Sequence, residues 1–513
     1  MSLSRRPRDL SFAAKASAAL VLVAIADGLS WSHAIGATIG VFALLLTATA
    51  TALHPAARRD PKAVFALAAA AVLALVQVEA PGFLVWMLFW TALSLAVLLP
   101  RAKGFDDAWR WAQRLLAQAA VGLFGPWLDL RRALRTRKAA PLWRWTSVVP
   151  LLALPVVGGT VFLTLFAAAN PVIGQALASL RWPAFDLVLF LRTLFWLTVL
   201  TLVWGVLRPR RRRALPARPF WPDAWAGFTV PVASVTLSLI VFNALFAVQN
   251  GLDAVILWGG AGPPAGLTLA EYAHRGAYPL IATALLAGLF VLLFLAPGSP
   301  TAKVPLVRGL VVAWLAQNLF LVASSILRTV DYVQAYSLTR LRIAALVWMG
   351  LVGLGLVLTC WRMLRGKSGA WLINANAAAA LAVLAGACVV DLGAVAAAWN
   401  VRHAREVGGG GSALDVCYLS RLGPSALVSM VELEQRLPGS NVAARVAPDR
   451  DGQTEGLRRR QADWRGWTWR GARRLARIEA LQRGRPLAHG AEVPGLLCDS
   501  PSASPPLTNS PEH

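Results

Sequence analysis

Charge is scarce in this chain. Of its 513 residues only 15% are charged, 57% are hydrophobic, and the mean hydropathy is +0.57. A soluble globular chain carries roughly 25% charged residues, so the composition is that of a membrane protein. Chemistry-bearing residues are scarcer still, with six His, five Tyr and four Cys. None of Cys360, Cys388, Cys417 and Cys498 stands in a CxxC or mixed Cys/His spacing, so no structural metal site is expected. Cys360 and Cys388 fall in apolar runs and read as core thiols. Cys417 and Cys498 lie near the C-terminus and could pair only in an oxidising compartment. There is no GxGxxG or Walker A loop in the right context, no HExxH and no GxSxG. Charged residues within the apolar runs are too sparse for an ion-pump relay, and no inverted repeat of broken helices is visible. These absences leave no catalytic residue, cofactor or metal to assign.

What the chain does have is recurrent apolar runs of about 18–25 residues, each long enough to cross a hydrocarbon core of roughly 30 Å as a helix. About eleven spans are expected, near 13–30, 34–53, 63–80, 82–99, 147–169, 184–207, 228–248, 277–296, 306–327, 341–361 and 371–398. The fold class is therefore all-α: a polytopic integral membrane protein with a small helical C-terminal tail. The formal net charge is +25, and the sequence pI is about 11.4. Most of the excess falls in alternate short loops, such as Arg5–Arg8, Arg58–Lys62, the 101–145 connection and "RPRRRRALPARP" (208–219). That alternation is a topology signal rather than a nucleic-acid surface, and it places the N-terminus in the cytoplasm. An odd number of spans then puts the tail outside. The basic start followed by an apolar run reads as a first anchor rather than a cleaved signal.

The organisation expected is a four-helix membrane segment (1–100), a basic amphipathic cytoplasmic connection (101–145), a membrane core of about seven helices (146–398), an extracytoplasmic tail with short helices (399–490) and a disordered end (491–513). The connection, with Trp and Leu against Arg, suits the inner membrane surface and its anionic lipids. Packing on other loops is the competing reading. The tail opens with "EVGGGGSALD", read as a flexible linker at Gly408–Gly411. Two short helices follow, with Pro424 opening the second. Trp464, Trp467, Leu475, Ile478 and Leu481 are then expected on one helical face, either interfacial or packed on the tail.

Two polar stripes stand out. In "EYAHRGAYPL" Glu271, His274, Arg275 and Tyr278 recur at three and four residues, with Tyr272 beside them. Glu271 and His274 have Glu-x-x-His spacing, but there is no second such pair to complete a di-metal site. In "SSILRTVDYVQAYSLTRLR" Arg328, Asp331, Tyr332 and Tyr336 share a face, and Arg340 and Arg342 open the next span. The topology puts both stripes, and Asp391 at the end of the last span, on the outer side, where they form a candidate polar site. Arg192 is an isolated charge within a span and calls for a partner, with Asp391, Asp186 or a carbonyl near Asn170–Pro171 in view.

The stretches "ANP" (169–171), "EYAHRGAYPL" (271–280), "YVQAYSLTRLRIAALVWMG" (332–350), "NVRHAREVGGGG" (400–411) and "DWRGWTWR" (463–470) resemble a bacterial multi-pass membrane family catalogued as a domain of unknown function, number forty-one seventy-three, related to forty-one fifty-three. Some members have Gly where this chain has Ser337. The resemblance implies a bacterial inner-membrane protein and no established activity. Three functions are compatible with the chain. The first is a non-enzymatic envelope sensor, scaffold or assembly factor. The second is a transporter or channel using Arg192, Asn243, Gln317, Asn318, Asn374 and Asn376. The third is a membrane enzyme on a lipid-linked or envelope substrate, with Glu271 or His274 as acid or base. Expected partners are the bilayer and anionic lipid, with no nucleic acid.

Overall fold

The computed structural model describes residues 12–102, 104–136, 145–170, 172–173, 175, 186–209, 231–259, 283, 286, 288–290 and 304–487. All regular elements among them are helices. In chain order the main ones are α1 (Phe12–Ser30), α2 (Thr38–Leu53), α3 (Pro61–Glu79), α4 (Phe83–Leu98), α5 (Ala108–Leu123), α6 (Gly125–Thr136), α7 (Trp145–Ala169), α8 (Leu187–Leu207) and α9 (Val232–Asp253). They continue with α10 (Pro305–Tyr336), α11 (Arg340–Arg365), α12 (Gly369–Val389), α13 (Leu392–His403), α14 (Val416–Arg421), α15 (Leu427–Arg436), α16 (Asn441–Ala462) and α17 (Trp469–Gly484). Eight of them are long and apolar enough to cross a membrane: α1, α3, α4, α8, α9, α10, α11 and α12. The chain is thus a multi-pass helical membrane protein.

Local chemistry sets the helix starts. Asp60, Asp107, Asp186, Thr339 and Ser368 each accept an amide hydrogen bond at the first turn of α3, α5, α8, α11 and α12. Gly366, in the left-handed region at φ 60°, ends α11. The first membrane core gathers Leu22, Ala43, Leu46, Ala70, Phe89, Leu93 and Leu207. Small residues let these helices approach closely: a Cβ at Gly40 would strike the backbone of α3 at Ala74 and Val78.

Two expected boundaries move. The span expected at 306–327 continues unbroken to Tyr336, since nothing in "LRTVDYVQAY" stops a helix. Arg328, Asp331, Tyr332 and Tyr336 therefore sit on α10, and the link to α11 is only Ser337–Thr339. The span expected at 371–398 stops at Val389, because Asp391 caps a new helix through the amides of Gly393 and Ala394, at 3.0 and 3.1 Å. That helix, α13, belongs to the tail: Ala397 and Val401 join Leu419, Leu427, Met430, Leu433, Val446 and Ile478 in one buried core. The tail therefore begins at Leu392.

The tail also differs from expectation in its joints. Gly408–Gly411 form a bonded turn rather than a free linker. The amides of Gly409 and Gly411 bond to the carbonyls of Ala404 and His403 (both 3.0 Å), and a Cβ at either glycine would collide with the His403 carbonyl. The expected face uniting Trp464 and Trp467 with Leu475, Ile478 and Leu481 is broken, because α16 ends at Ala462 and α17 starts at Trp469. Leu475, Ile478 and Leu481 pack into the tail core, whereas Trp464 is exposed.

Candidate functional site at the tail–membrane junction

The tail is fastened to one end of the membrane helices by four separate contacts. The first joins Asp391, Ser425 and Arg474. Arg474 reaches the Asp391 carboxylate at 2.5 Å, and the Ser425 hydroxyl donates to it at 3.1 Å. Burial acts to raise this carboxyl, but the Ala394 amide, the Arg474 charge, the Ser425 hydroxyl and Arg470 outweigh it and hold it below the usual carboxylate range. Arg340 lies over the same helix start, with Ser425 Oγ at 3.5 Å and its backbone amide on the Tyr418 hydroxyl at 2.9 Å.

The second contact is Glu79 at the end of α3, which pairs with Arg473 and, at 3.5 Å, with Arg470. Arg470 also donates to the Val389 carbonyl at 2.7 Å. In the third, the Ala37 amide donates to the Trp467 carbonyl at 2.7 Å, and Gly36 lies so close to Arg465–Trp467 that any side chain would collide with that backbone. The fourth is Asn400, which is buried and closes a two-bond clasp on Leu338: Oδ1 accepts from the Leu338 amide at 2.7 Å, and Nδ2 donates to its carbonyl at 2.9 Å. Beside it Ser337 and Ser412 share a hydroxyl hydrogen bond of 2.8 Å. Ser337 has φ 70° and ψ 163°, a conformation that favours Gly and costs a serine backbone strain. Arg342 steadies this turn by donating to the Tyr336 and Ser337 carbonyls while lying 4.2 Å over the Tyr332 ring.

The clasp borders a cavity of about 590 Å³ lined by Val330, Val333, Gln334, Leu338, Leu346, Trp399, His403, Gly410 and Gly411. Its walls are mostly apolar. His403 stacks on Trp399 at 4.1 Å between ring centroids and uses Nδ1 on the Trp399 carbonyl at 2.8 Å. Its Nε2 and the Gln334 amide make no hydrogen bond among the described residues. An apolar chamber of several hundred Å³ with a few available polar groups has the character of a small-molecule site.

The sequence-selected residues divide as follows. Tyr332, Tyr336, Arg340, Arg342 and Asp391 meet at the junction. Glu271, Tyr272, His274, Arg275 and Tyr278 lie outside the described residues, so the two stripes are not compared. Arg328 is instead buried, paired with buried Asp253 of α9. Asp331 makes no hydrogen bond or ion pair among the described residues. Arg192 pairs with none of its expected partners. Its guanidinium grips Asp27 of α1 at 2.9 and 2.5 Å, and Trp196 donates to the same carboxylate at 2.8 Å. The expected polar path is also divided. Asn243 and Gln317 meet at 3.0 Å, but Asn374 sits at the opposite end of the molecule and accepts from the Ala108 amide at the start of α5. Sequence reasoning missed Asn400, Ser425 and Glu79. Asn400 heads the "NVRHAREVGGGG" stretch, but nothing in the sequence marks that amide as buried.

Cys417 is disulfide-bonded, Cys360 and Cys388 are free, and Cys498 lies outside the described residues. A family model described as Domain of unknown function (DUF4153) matches residues 63–433. The sequence resemblance named number forty-one seventy-three first, whereas the family whose model matches is forty-one fifty-three. No curated protein and no solved structure matches the chain.

Proposed function

The chain belongs to the DUF4153 family, whose description names no activity, and we propose that it is a non-enzymatic protein of the bacterial inner membrane that works by binding at its outer face. The observation that carries this reading is the junction itself: a helical tail locked onto the membrane domain and walling a 590 Å³ cavity. The reading takes eleven spans, with the 16-residue α2, the 25-residue α7 and the span expected at 277–296, of which residues 283, 286 and 288–290 are helical, joining the eight. On that count the N-terminus is cytoplasmic and the tail extracytoplasmic, where the Cys417 disulfide finds an oxidising compartment.

The opposite end carries α5 and α6. They are anchored by Asp129 to Trp204 (3.1 Å) and Arg208 (3.6 Å) and by Gln118 to the Gly205 carbonyl (2.8 Å), yet leave Leu116, Leu123, Phe124, Trp127 and Leu130 exposed beside Arg131 and Arg132. An apolar face next to arginines suits the headgroup layer of an anionic inner leaflet.

The test uses two variants in a strain whose only copy is the altered gene. Leu346→Trp fills the cavity, and, if the variant is inserted and folded, it reproduces the envelope phenotype of a deletion. His403→Ala removes the only ionisable side chain lining the cavity among the described residues. A general acid or base contributes about 10²–10⁴-fold to a reaction, so an enzyme would be silenced by H403A. A binding site is weakened but works. Full activity of L346W, or silence of a folded H403A, overturns the proposal.

A further inference from the structure

The seam between α9 and α10 is polar in its outer half and apolar in its inner half. On α10 Trp314, Gln317, Asn318, Leu321, Ser324, Ser325 and Arg328 follow one another at helical spacing, and on α9 Asn243, Asn250 and Asp253 do the same. Amide donors tie the seam together. Asn243 donates to the Leu310 carbonyl at 3.0 Å, Gln317 to Asn243 Oδ1 at 3.0 Å, Asn250 to the Gln317 carbonyl at 3.2 Å, and Gln249 to Asp253 Oδ1 at 3.0 Å. Arg328 closes the outer end on the same Asp253 oxygen.

These bonds leave both acceptors and donors over: Trp314 Nε1, and Nε of the otherwise paired Arg328, are buried without an acceptor among the described residues. Asp253 Oδ2, Asn250 Oδ1, Gln317 Oε1 and Asn318 Oδ1 are buried with no hydrogen-bond donor among the described residues. Asp253 is 1% exposed and Asn318 0%. Lipid cannot satisfy such oxygens, and native proteins rarely leave them bare. The region asks for a small group that both donates and accepts, with two to four bonds to share, which is water. From Asn243 to Asp253 the seam covers about 15 Å along the helix, roughly half a hydrocarbon core. At its inner end it is closed. Beside Asn243, Phe242, Phe246 and Phe290 surround Trp314 with ring centroids 5.2–5.8 Å away, and Val235, Leu239, Val307 and Val311 fill the space beneath. A π-helical turn, Ala254–Trp258, directly follows Asp253, and such turns recur at functional sites.

We propose that the outer half of the α9–α10 seam is a water-filled vestibule that gives the intramembrane Asp253–Arg328 pair proton contact with the outer face and ends on the aromatic plug at mid-membrane. Hydrated intramembrane charges mark ion and proton routes, and apolar constrictions close them. This inference takes its outer side from the proposed topology and is otherwise independent of the junction cavity.

The test is thiol accessibility from the outer side in a Cys360→Ala, Cys388→Ala background, using a trimethylammonium methanethiosulfonate that does not enter lipid. Asn250→Cys and Gln317→Cys react, and Leu252→Cys, on the exposed lipid-side surface of α9, does not. Because Gln317 also holds the seam together, hydroxyl-radical footprinting of the unmutated protein in nanodiscs gives a second reading. Water beside the seam oxidises Trp314, although that residue is only 4% exposed. Unreactive N250C and Q317C thiols, or an unoxidised Trp314, mean a dry seam and overturn the proposal. Reaction of N250C alone overturns the claim that water reaches mid-membrane.

Discussion

Replacing Asn400 with Ala separates the tail from the membrane domain at its most buried joint. The amide makes two hydrogen bonds to one residue, at 2.7 and 2.9 Å, and both Asn400 and Leu338 are less than 8% exposed. N400A leaves a backbone N–H and a backbone C=O without partners. Each costs about 1–3 kcal/mol when buried. The neighbouring cavity lets water reach part of the loss, so the lower part of the summed range applies, about 3 kcal/mol, a little over a hundredfold in the opening equilibrium. Hydrogen exchange in nanodiscs reads this directly. Amides of 336–342 and 400–412 lose about two decades of protection, while those of α3 and α4 are unchanged. Ser412→Ala removes one hydroxyl bond from the same turn and costs about 1 kcal/mol, or roughly fivefold. Protection in N400A within about twofold of the parent protein would refute the reasoning, because the clasp would then carry no energy.

Three further outcomes follow from the same geometry. Asp27→Ala strands Arg192 in the membrane and lowers the unfolding temperature in detergent, while the double variant D27L/R192L recovers most of that loss. Burial pushes the Glu434 carboxyl from 4.5 up to about 7 against the pull of Arg450. A raised carboxyl pKa favours the folded state only while protonated, so its contribution is complete below about pH 4.5 and is lost as pH rises through 7. Tail unfolding followed by exchange of α15 and α16 amides is therefore easier at pH 8 than at pH 5, and equal or greater stability at pH 8 sinks the assignment. Trp127→Glu and Leu123→Glu reduce exchange protection of α5 and α6 in nanodiscs containing anionic lipid, with no such difference expected if these helices face water.

Much of the membrane architecture is legible in the sequence because lipid imposes a simple rule on length and polarity. The apolar runs and their basic flanks locate α1, α3, α4, α8 and α11 to within a few residues. What hydropathy does not carry is pairing. Arg192 is visibly an intramembrane charge, yet its partner Asp27 lies 165 positions away on another span, and nothing in either local pattern links them. Boundaries set by one cap are readable only when the cap is weighed against the apolar run. Asp391 before "LGAV" is a good helix start, but the continuous apolar run from Gly369 to Ala398 hides it. The Gly408–Gly411 stretch shows the reverse error. Composition suggests freedom, whereas at Gly409 and Gly411 the His403 carbonyl leaves no room for a Cβ and Gly408 takes the positive φ of 82° that favours glycine. The junction residues were partly visible as polar residues near span ends, and Asn400, one amide in an apolar helix, was not.

The most direct measurement is labelling of Gly410→Cys in intact cells with a membrane-impermeant maleimide. Gly410 lines the junction cavity and has open space where a Cβ would stand, so the substitution leaves the turn in place. A junction on the outer face predicts labelling before the inner membrane is permeabilised. Labelling only after permeabilisation would put the tail and its cavity in the cytoplasm and contradict an outer-face binding site.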